Sequence, residues 1–343
     1  MGDTKALQAT IAQMTARGKG ILAADESAST IAKRLQSIHT ASTEDNRRAY
    51  RDVLLTTPGL NQYVCGVILF EETLAQSALN GTPFAALLDA QGIVPGIKVD
   101  KGLVPLNHES SEMVTQGTDG LADRLSEYKK QGARFAKWRA VYSVGDHLPS
   151  KAVNAWNALN LARYAALCQD QGIVPIVEPE ILMDGDHTIE QCEKASTKVF
   201  RKVFSALVKQ NVKLEYMILK PSMMIAGKNC KKKSDVTEVA EATIRVLKRT
   251  VPAAVPTINF LSGGQTPEQA TQHLQAMNAM GNLPWHVSFS YGRALQEPPL
   301  VTWAGKADNK AAAQAALLKR AKLNYLATRA EYRENMEKET IVV

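Results

Sequence analysis

The chain has 343 residues, 45% of them hydrophobic and 22% charged, which is enough for one large core or two smaller ones and excludes a disordered or low-complexity protein. Its 41 Lys and Arg against 34 Asp and Glu leave a formal charge of +7, compatible with a polyanionic partner or a site for small anions. No apolar run approaches the ~20 residues of a membrane helix and the first 20 residues lack a signal-peptide core, so a cytosolic protein without membrane contact is expected.

In chain order, LQATIAQM comes first and has the composition of a surface helix. Short apolar, β-branched runs then recur, each followed by a longer segment of helical spacing: GILAAD (20–25), VCGVILF (64–70), GIKVDK (96–101), ARFAKWR (133–139), VPIVEPEI (174–181), YMILKP (216–221), TINFLSG (257–263) and HVSFSYG (286–292). Repeated βα units imply parallel strands, and eight of them favour a closed (β/α)8 barrel over a doubly wound sheet. With no linker in view, residues 1–343 read as a single α/β domain with flanking helices. The last segment, KAAAQAALLKRAKLNYLATRAEYRENMEK, reads as one surface helix that includes Tyr325 and Tyr332. The cysteines Cys65, Cys168, Cys192 and Cys230 are far apart and form no paired motif, so free thiols are expected. The basic cluster GKNCKKKSD (227–235) lacks interleaved aromatics and reads as a solvated loop, so no nucleic acid partner is expected.

Polar residues in these strands share one position. Asp25, Lys98, Asp100, Lys137, Arg139, Glu178, Glu180, Lys220, Ser262 and Arg293 all lie in the second half of a strand or just past it. In a barrel those places converge on the C-terminal face, where active sites of this architecture are built. Lys220 closes an apolar run and precedes a proline, so it either snorkels out or is there to react. Reactivity at neutral pH requires lowering its pKa by roughly 3 units, about 4 kcal/mol. A second ammonium about 6 Å away supplies about 2.8 kcal/mol at an effective dielectric of 20. Lys137, at equivalent depth two strands earlier, is the candidate. Glu178 and Glu180, spaced by two, share a strand face and offer a proton shuttle. Pattern alone leaves open a lysine merely paired with a carboxylate as barrel filling.

Anion-binding signals favour the reactive reading. LSGGQ (261–265) and SYGRAL (290–295) each end a strand and precede a helix, so backbone amides, with Arg293 beside Gly292, can hold a phosphate. Ser27, Lys33 and Arg34 after the first strand, with Lys98 on the third, could bind a second phosphate across the mouth.

At this point the chain resembles the class I, Schiff-base-forming fructose-1,6-bisphosphate aldolases. The resemblance is carried by GKGILAADES, RRAYR, GVILFEETL, GIKVDKG, FAKWR, ARYAALCQDQGIVPIVEPEIL, DGDH, ILKPSM, FLSGGQ and FSYGRAL, from about residue 18 to about 325. It implies reversible cleavage of fructose 1,6-bisphosphate to dihydroxyacetone phosphate and glyceraldehyde 3-phosphate, in glycolysis and gluconeogenesis, with no cofactor and no metal. By matching motif, it implies that Lys220 forms the iminium with C2, Glu178 exchanges protons with the carbinolamine and Glu180 tunes it. Lys137 is implied as the second cation with Arg139 supporting it, and Asp25 as the base for the C4 hydroxyl. Ser262, Gly263, Gly292 and Arg293 are implied at the C1 phosphate, and Ser27, Arg34 and Lys98 near the C6 phosphate. It further implies sugar-phosphate ligands and a homo-oligomer, commonly a homotetramer, with cytoskeletal or other acidic partners conceivable through basic patches.

The departure is at the C-terminus. Tailed relatives end on a tyrosine that enters the site, whereas here the segment from about 330 is divergent and closes on MEKETIVV. Rival readings are another Schiff-base aldolase or a transaldolase, a metal-dependent aldolase, and a non-catalytic scaffold. The six histidines lack ligand spacing, and His187 in DGDH reads as structural.

Overall fold

The computed structural model describes residues 4–108 and 110–339. Its strands are β1 (Gly20–Ala24), β2 (Val64–Leu69), β3 (Val94–Lys98), β4 (Leu103–Pro105), β5 (Met113–Thr115), β6 (Phe135–Tyr142), β7 (Val174–Ile181), β8 (Ile218–Leu219), β9 (Thr257–Phe260) and β10 (His286–Tyr291). All but β4 and β5 close into a barrel in the order β1-β10-β9-β8-β7-β6-β3-β2, with every neighbouring pair parallel. The fold is therefore the (β/α)8 barrel expected from the repeat. The antiparallel pair β4–β5 is an insertion between the third and fourth barrel strands that the repeat does not announce.

Two apolar layers hold the barrel. Residues such as Leu22, Trp138, Val177 and Leu219 point outward into the large core beneath the helices, whereas Ile21, Phe135, Val174, Ile176 and Ile218 join a second cluster. The members of this second cluster alternate with the first along the strands, as a period of two requires. Continuing that parity gives the positions that matter: Ala23 leads to Asp25, Phe135 to Lys137 and Arg139, Ile176 to Glu178 and Glu180, and Ile218 to Lys220. The barrel interior thus passes from an apolar floor to a charged rim. Tight packing at the floor depends on glycine, since a β-carbon on Gly96 would come within 2.2 Å of the Phe135 ring.

The terminal helices differ from the expectation of surface helices. Helix Thr4–Met14 buries Leu7, Ile11 and Met14 in the same cluster as the barrel floor, because an open barrel end exposes apolar side chains that something must cover. Helix Lys310–Thr328 buries Leu317, Ala321, Leu323 and Ala327. It also stops before Tyr332: the Thr328 hydroxyl donates to Gly18 O at 2.7 Å, and Ala330 takes φ 59°. Tyr325 is helical, but Tyr332 lies beyond the helix, its N–H on Gln275 Oε1 at 2.9 Å and its hydroxyl on Glu337 at 3.1 Å. Residues 340–343 of the closing MEKETIVV lie outside the described residues.

β8 is shorter than the run YMILKP suggests. Leu214–Tyr216 forms a 3-10 turn, and Pro221 supplies no N–H for further pairing. Lys220 N–H nevertheless donates to Val177 O at 2.8 Å, which holds its backbone at strand depth beside β7. Among the described residues no helix is long and apolar enough to cross a membrane.

Candidate active site

The strands' C-terminal ends open into a cleft of about 570 Å³. Asp25, Ser27, Arg34, Lys98, Lys137, Arg139, Glu178, Glu180, Lys220, Ser262, Gly263, Gly292 and Arg293 all line it, as do Asp100 and Glu26. Lys33 does not; it faces a smaller cavity between helices Ala28–Gln36 and Arg293–Trp303.

An ionic cluster forms the cleft's base. Lys137 Nζ is 2.8 Å from Asp25 Oδ2 and 3.3 Å from Glu178 Oε2, while Lys220 Nζ is 3.3 Å from Glu178 Oε1. Two ammoniums and two carboxylates balance, which makes their burial tolerable. Burial alone would push the Asp25 carboxyl up, but the Lys137 and Lys220 ammoniums outweigh it and hold the group down at about 2. For Lys137, burial works against the charge, yet Asp25 and Glu178 prevail and its pKa is raised. Asp25 is thus ionised at neutral pH and Lys137 a fixed cation. Lys137, expected as the direct electrostatic neighbour of Lys220, shares with it the Glu178 carboxylate, which contacts both.

Around this cluster two further ion pairs line the cleft. Arg139 Nε donates to Glu180, one strand over. Lys98 Nζ donates to Asp100 Oδ1 at 2.7 Å and to Asp100 O at 2.9 Å, giving Asp100 a partner that its place in the strand did not reveal.

The anion-binding wall lies where β9 and β10 end side by side. Gly263 and Gly264 follow β9 with φ of 39° and 81°, and a β-carbon on Gly264 would fall 1.8 Å from Met183 Sδ, so the turn requires glycine. Helix Pro267–Ala279 starts behind that turn, and helix Arg293–Trp303 starts at Gly292. Arg293 Nη2 donates to Gln265 O at 3.3 Å, joining the two loops. The turn after β9, the start of helix Arg293–Trp303 and the Arg293 guanidinium therefore meet at one corner of the cleft.

Closure of the barrel changes one expectation. Because β1 pairs with β10, residues after β1 are neighbours of Gly292 rather than opposite it. Arg34 Nη2 lies 3.8 Å from the point a β-carbon on Gly292 would occupy. Lys98, by contrast, is on β3, separated from β10 by β2 and β1. Ser27 lies between, its hydroxyl 3.2 Å from Ser29 Oγ and 3.1 Å from Thr30 Oγ1.

Glu26, Arg51 and Gln296 escaped the sequence reading. All three are buried, and Glu26 bridges Arg34 and Arg51. Arg51 stands in RRAYR and Glu26 next to Asp25, but neither position signals that a helix 25 residues away completes the pair.

Among the described residues no group of three or more His, Cys, Asp or Glu side chains could hold a metal ion. His187 is buried, and burial keeps it below the ordinary histidine pKa.

Comparison with known proteins gives a consistent result. The family model described as "Fructose-bisphosphate aldolase class-I" matches residues 6–342. A "Probable fructose-bisphosphate aldolase class 1" of Xanthomonas campestris pv. campestris is 55% identical over 322 residues, covering 94% of this chain and 96% of that protein. The cytosolic fructose-bisphosphate aldolase 6 of Arabidopsis thaliana is 52% identical over 328 residues, 95% of this chain and 91% of the relative. Among solved structures, the aldolase of Plasmodium falciparum, crystallised with TRAP and a small-molecule inhibitor, superposes with a TM-score of 0.94 at 49% identity, over 96% of this chain and 95% of that one.

Proposed function

This chain belongs to the class-I fructose-bisphosphate aldolase family, and from that premise we propose how its own residues carry the reversible cleavage of fructose 1,6-bisphosphate to dihydroxyacetone phosphate and glyceraldehyde 3-phosphate. Class I chemistry runs through a lysine Schiff base, and Lys220 is the nucleophile of this reading. Its neutral amine attacks the C2 carbonyl. Glu178, 3.3 Å from its Nζ, frees that amine by first taking one proton from the Lys220 ammonium; after attack a nitrogen proton passes to the C2 alkoxide, and Glu178 returns its proton to the resulting carbinolamine hydroxyl, which leaves as water. Asp25 then accepts the C4 hydroxyl proton. The C3–C4 bond breaks, the aldehyde forms at C4, and the bonding electrons flow through C3 into the iminium as an enamine. Protonation at C3 and hydrolysis release dihydroxyacetone phosphate and restore Lys220.

Lys137 stabilises the carboxylates on either side of it, and Arg139 orients Glu180 behind Glu178. Ser262, Gly263, Gly292 and Arg293 hold the C1 phosphate, with Arg34 at the edge of that corner. Ser27 and Lys98 serve the C6 phosphate further round the mouth. The observation that carries this reading is the contact of Glu178 with both Lys220 and Lys137 at the base of the cleft, beside an Asp25 held ionised.

Residues 1–343 are read as one domain working in a cytosolic homotetramer. The outward-facing Trp156 and Leu159 on helix Lys151–Asp170, 55% and 50% exposed, support an oligomer contact.

Borohydride reduction in the presence of dihydroxyacetone phosphate tests the nucleophile. The triose is expected on Lys220 in the peptide map, with loss of activity. An adduct on Lys137 would overturn the assignment.

A further inference from the structure

Glu26 is a buried carboxylate shared by two guanidiniums. Its Oε1 accepts a hydrogen bond from Arg34 Nη1 and another from Gln296 Nε2 at 2.7 Å, and its Oε2 is 2.7 Å from Arg51 Nη2. Gln296 is itself fixed, donating to Ala23 O at 2.5 Å and accepting from the Tyr50 hydroxyl at 3.1 Å through its backbone carbonyl. The carboxylate is therefore held by the end of β1, by helix Glu44–Leu55 through Arg51, and by helix Arg293–Trp303 through Gln296. Arg34, on helix Ala28–Gln36, lines the cleft together with Glu26 and is the most exposed of the three charged members.

The charges do not balance: two guanidiniums meet one carboxylate. Side-chain exposure is 5% for Glu26, 3% for Arg51 and 22% for Arg34, so the surplus positive charge is presented at Arg34. An anion arriving beside Gly292 would complete the set. Arginine keeps its charge at any physiological pH, but its long side chain loses rotamer freedom when it is fixed. A carboxylate that is already immobile supplies that fixing before the anion binds, which lowers the ordering cost of binding.

We propose that Glu26 is a positioning residue for substrate phosphate, acting through Arg34, with Arg51 serving as the buried counter-ion that fixes Glu26. The proposal rests on the assignment of Arg34 to a substrate phosphate, and its test separates the two.

The measurements are KM and kcat for fructose 1,6-bisphosphate and the inhibition constant of inorganic phosphate, in Arg34→Ala, Glu26→Gln, Arg51→Met and their combinations. Arg34→Ala and Glu26→Gln are each expected to raise KM and the phosphate inhibition constant about tenfold, with a smaller effect on kcat. The double variant Arg34→Ala/Glu26→Gln should be no worse than either alone, because Glu26 acts only through Arg34. Arg51→Met should fall between the native and Glu26→Gln values, since Glu26 still holds Arg34 while the surplus positive charge and one anchor of Glu26 are lost. Should Glu26→Gln fail to fold because Arg51 is left as a buried unpaired charge, Glu26→Gln/Arg51→Met removes that charge and carries the same expected rise in KM.

Unchanged KM and inhibition constant in Arg34→Ala would overturn the assignment of Arg34. A rise in Arg34→Ala with none on loss of Glu26 would overturn the positioning role alone. Multiplicative effects in the Arg34→Ala/Glu26→Gln variant, or an Arg51→Met variant as impaired as Glu26→Gln, would overturn it too, because the network would then be supporting the fold rather than Arg34.

Discussion

Lys137 and Lys220 each stand 3.3 Å from an oxygen of one carboxylate, Glu178. The relationship follows from strand order: β7, which carries Glu178, runs between β6 and β8. Two ammoniums pointing into the same barrel would repel by several kcal/mol at low effective dielectric, and the middle strand supplies the charge that removes the conflict. It also places a carboxylate oxygen 3.3 Å from Lys220 Nζ.

Glu178→Gln should therefore impair the first half of the reaction. With the shared acceptor gone, kcat is expected to fall by about 10²–10⁴-fold, the range of general acid–base catalysis. Single-turnover borohydride trapping with dihydroxyacetone phosphate checks it. Adduct formation at the native rate would remove Glu178 from the proton transfers.

Asp25→Asn is expected to retain the trapped adduct and lose C3–C4 cleavage, since the base is needed only after the iminium exists. The same residue predicts a pH dependence of stability. Its folded pKa, about 2, is depressed from 3.8, so its contribution is present above pH 3.8 and lost as pH falls towards 2. The contribution is about 2 kcal/mol. Urea midpoints of native and variant protein should converge across that window. A constant offset from pH 4 to pH 2 would mean that the Lys137 pair is not what holds Asp25 ionised.

Lys137 predicts the alkaline limb. Its raised pKa means that the unfolded chain releases its proton first, so stability from this group is present below pH 10.5 and declines as pH climbs above it. Lys137→Met should flatten that limb in a denaturation series. An unaltered alkaline slope would place the titrating group elsewhere.

Arg293→Ala should weaken dihydroxyacetone phosphate binding by roughly 10–100-fold, the worth of a charge-assisted hydrogen bond of about 1.5–3 kcal/mol. Calorimetric titration gives the comparison. Native affinity in the variant would move the C1 phosphate away from the corner formed after β9 and β10.

The C-terminal segment makes a prediction about stability rather than chemistry. Arg320 is buried and donates to both Glu337 carboxylate oxygens, at 2.7 and 2.6 Å, as well as to Pro267 O at 2.8 Å. Deleting residues 336–343 strands that guanidinium and should cost about 3 kcal/mol, with Arg320→Met recovering part of the loss. Tyr332→Phe should change C3 proton exchange less than about tenfold, under ~1.4 kcal/mol in barrier. Its hydroxyl is engaged by Glu337. A hundredfold loss of exchange with cleavage intact would give Tyr332 a place in the reaction.

Much of the barrel was legible locally. A strand's period of two places Glu178 and Glu180 on one face and carries Phe135 through Lys137 to Arg139, and glycine after a strand announces the turns at Gly263 and Gly292. Such signals need only neighbouring residues. The boundaries were less legible, as at β8, where pairing with flanking strands and Pro221 decide the length. Tertiary structure alone decided which charges meet. Closure brings β1 beside β10, so Arg34 faces Gly292 across no sequence pattern at all, and Glu26 finds Arg51 on a separate helix. Whether helix Thr4–Met14 faces water or a barrel floor was settled the same way. Composition records that a side chain is apolar or charged, whereas its partner depends on which distant segments the closed barrel makes adjacent.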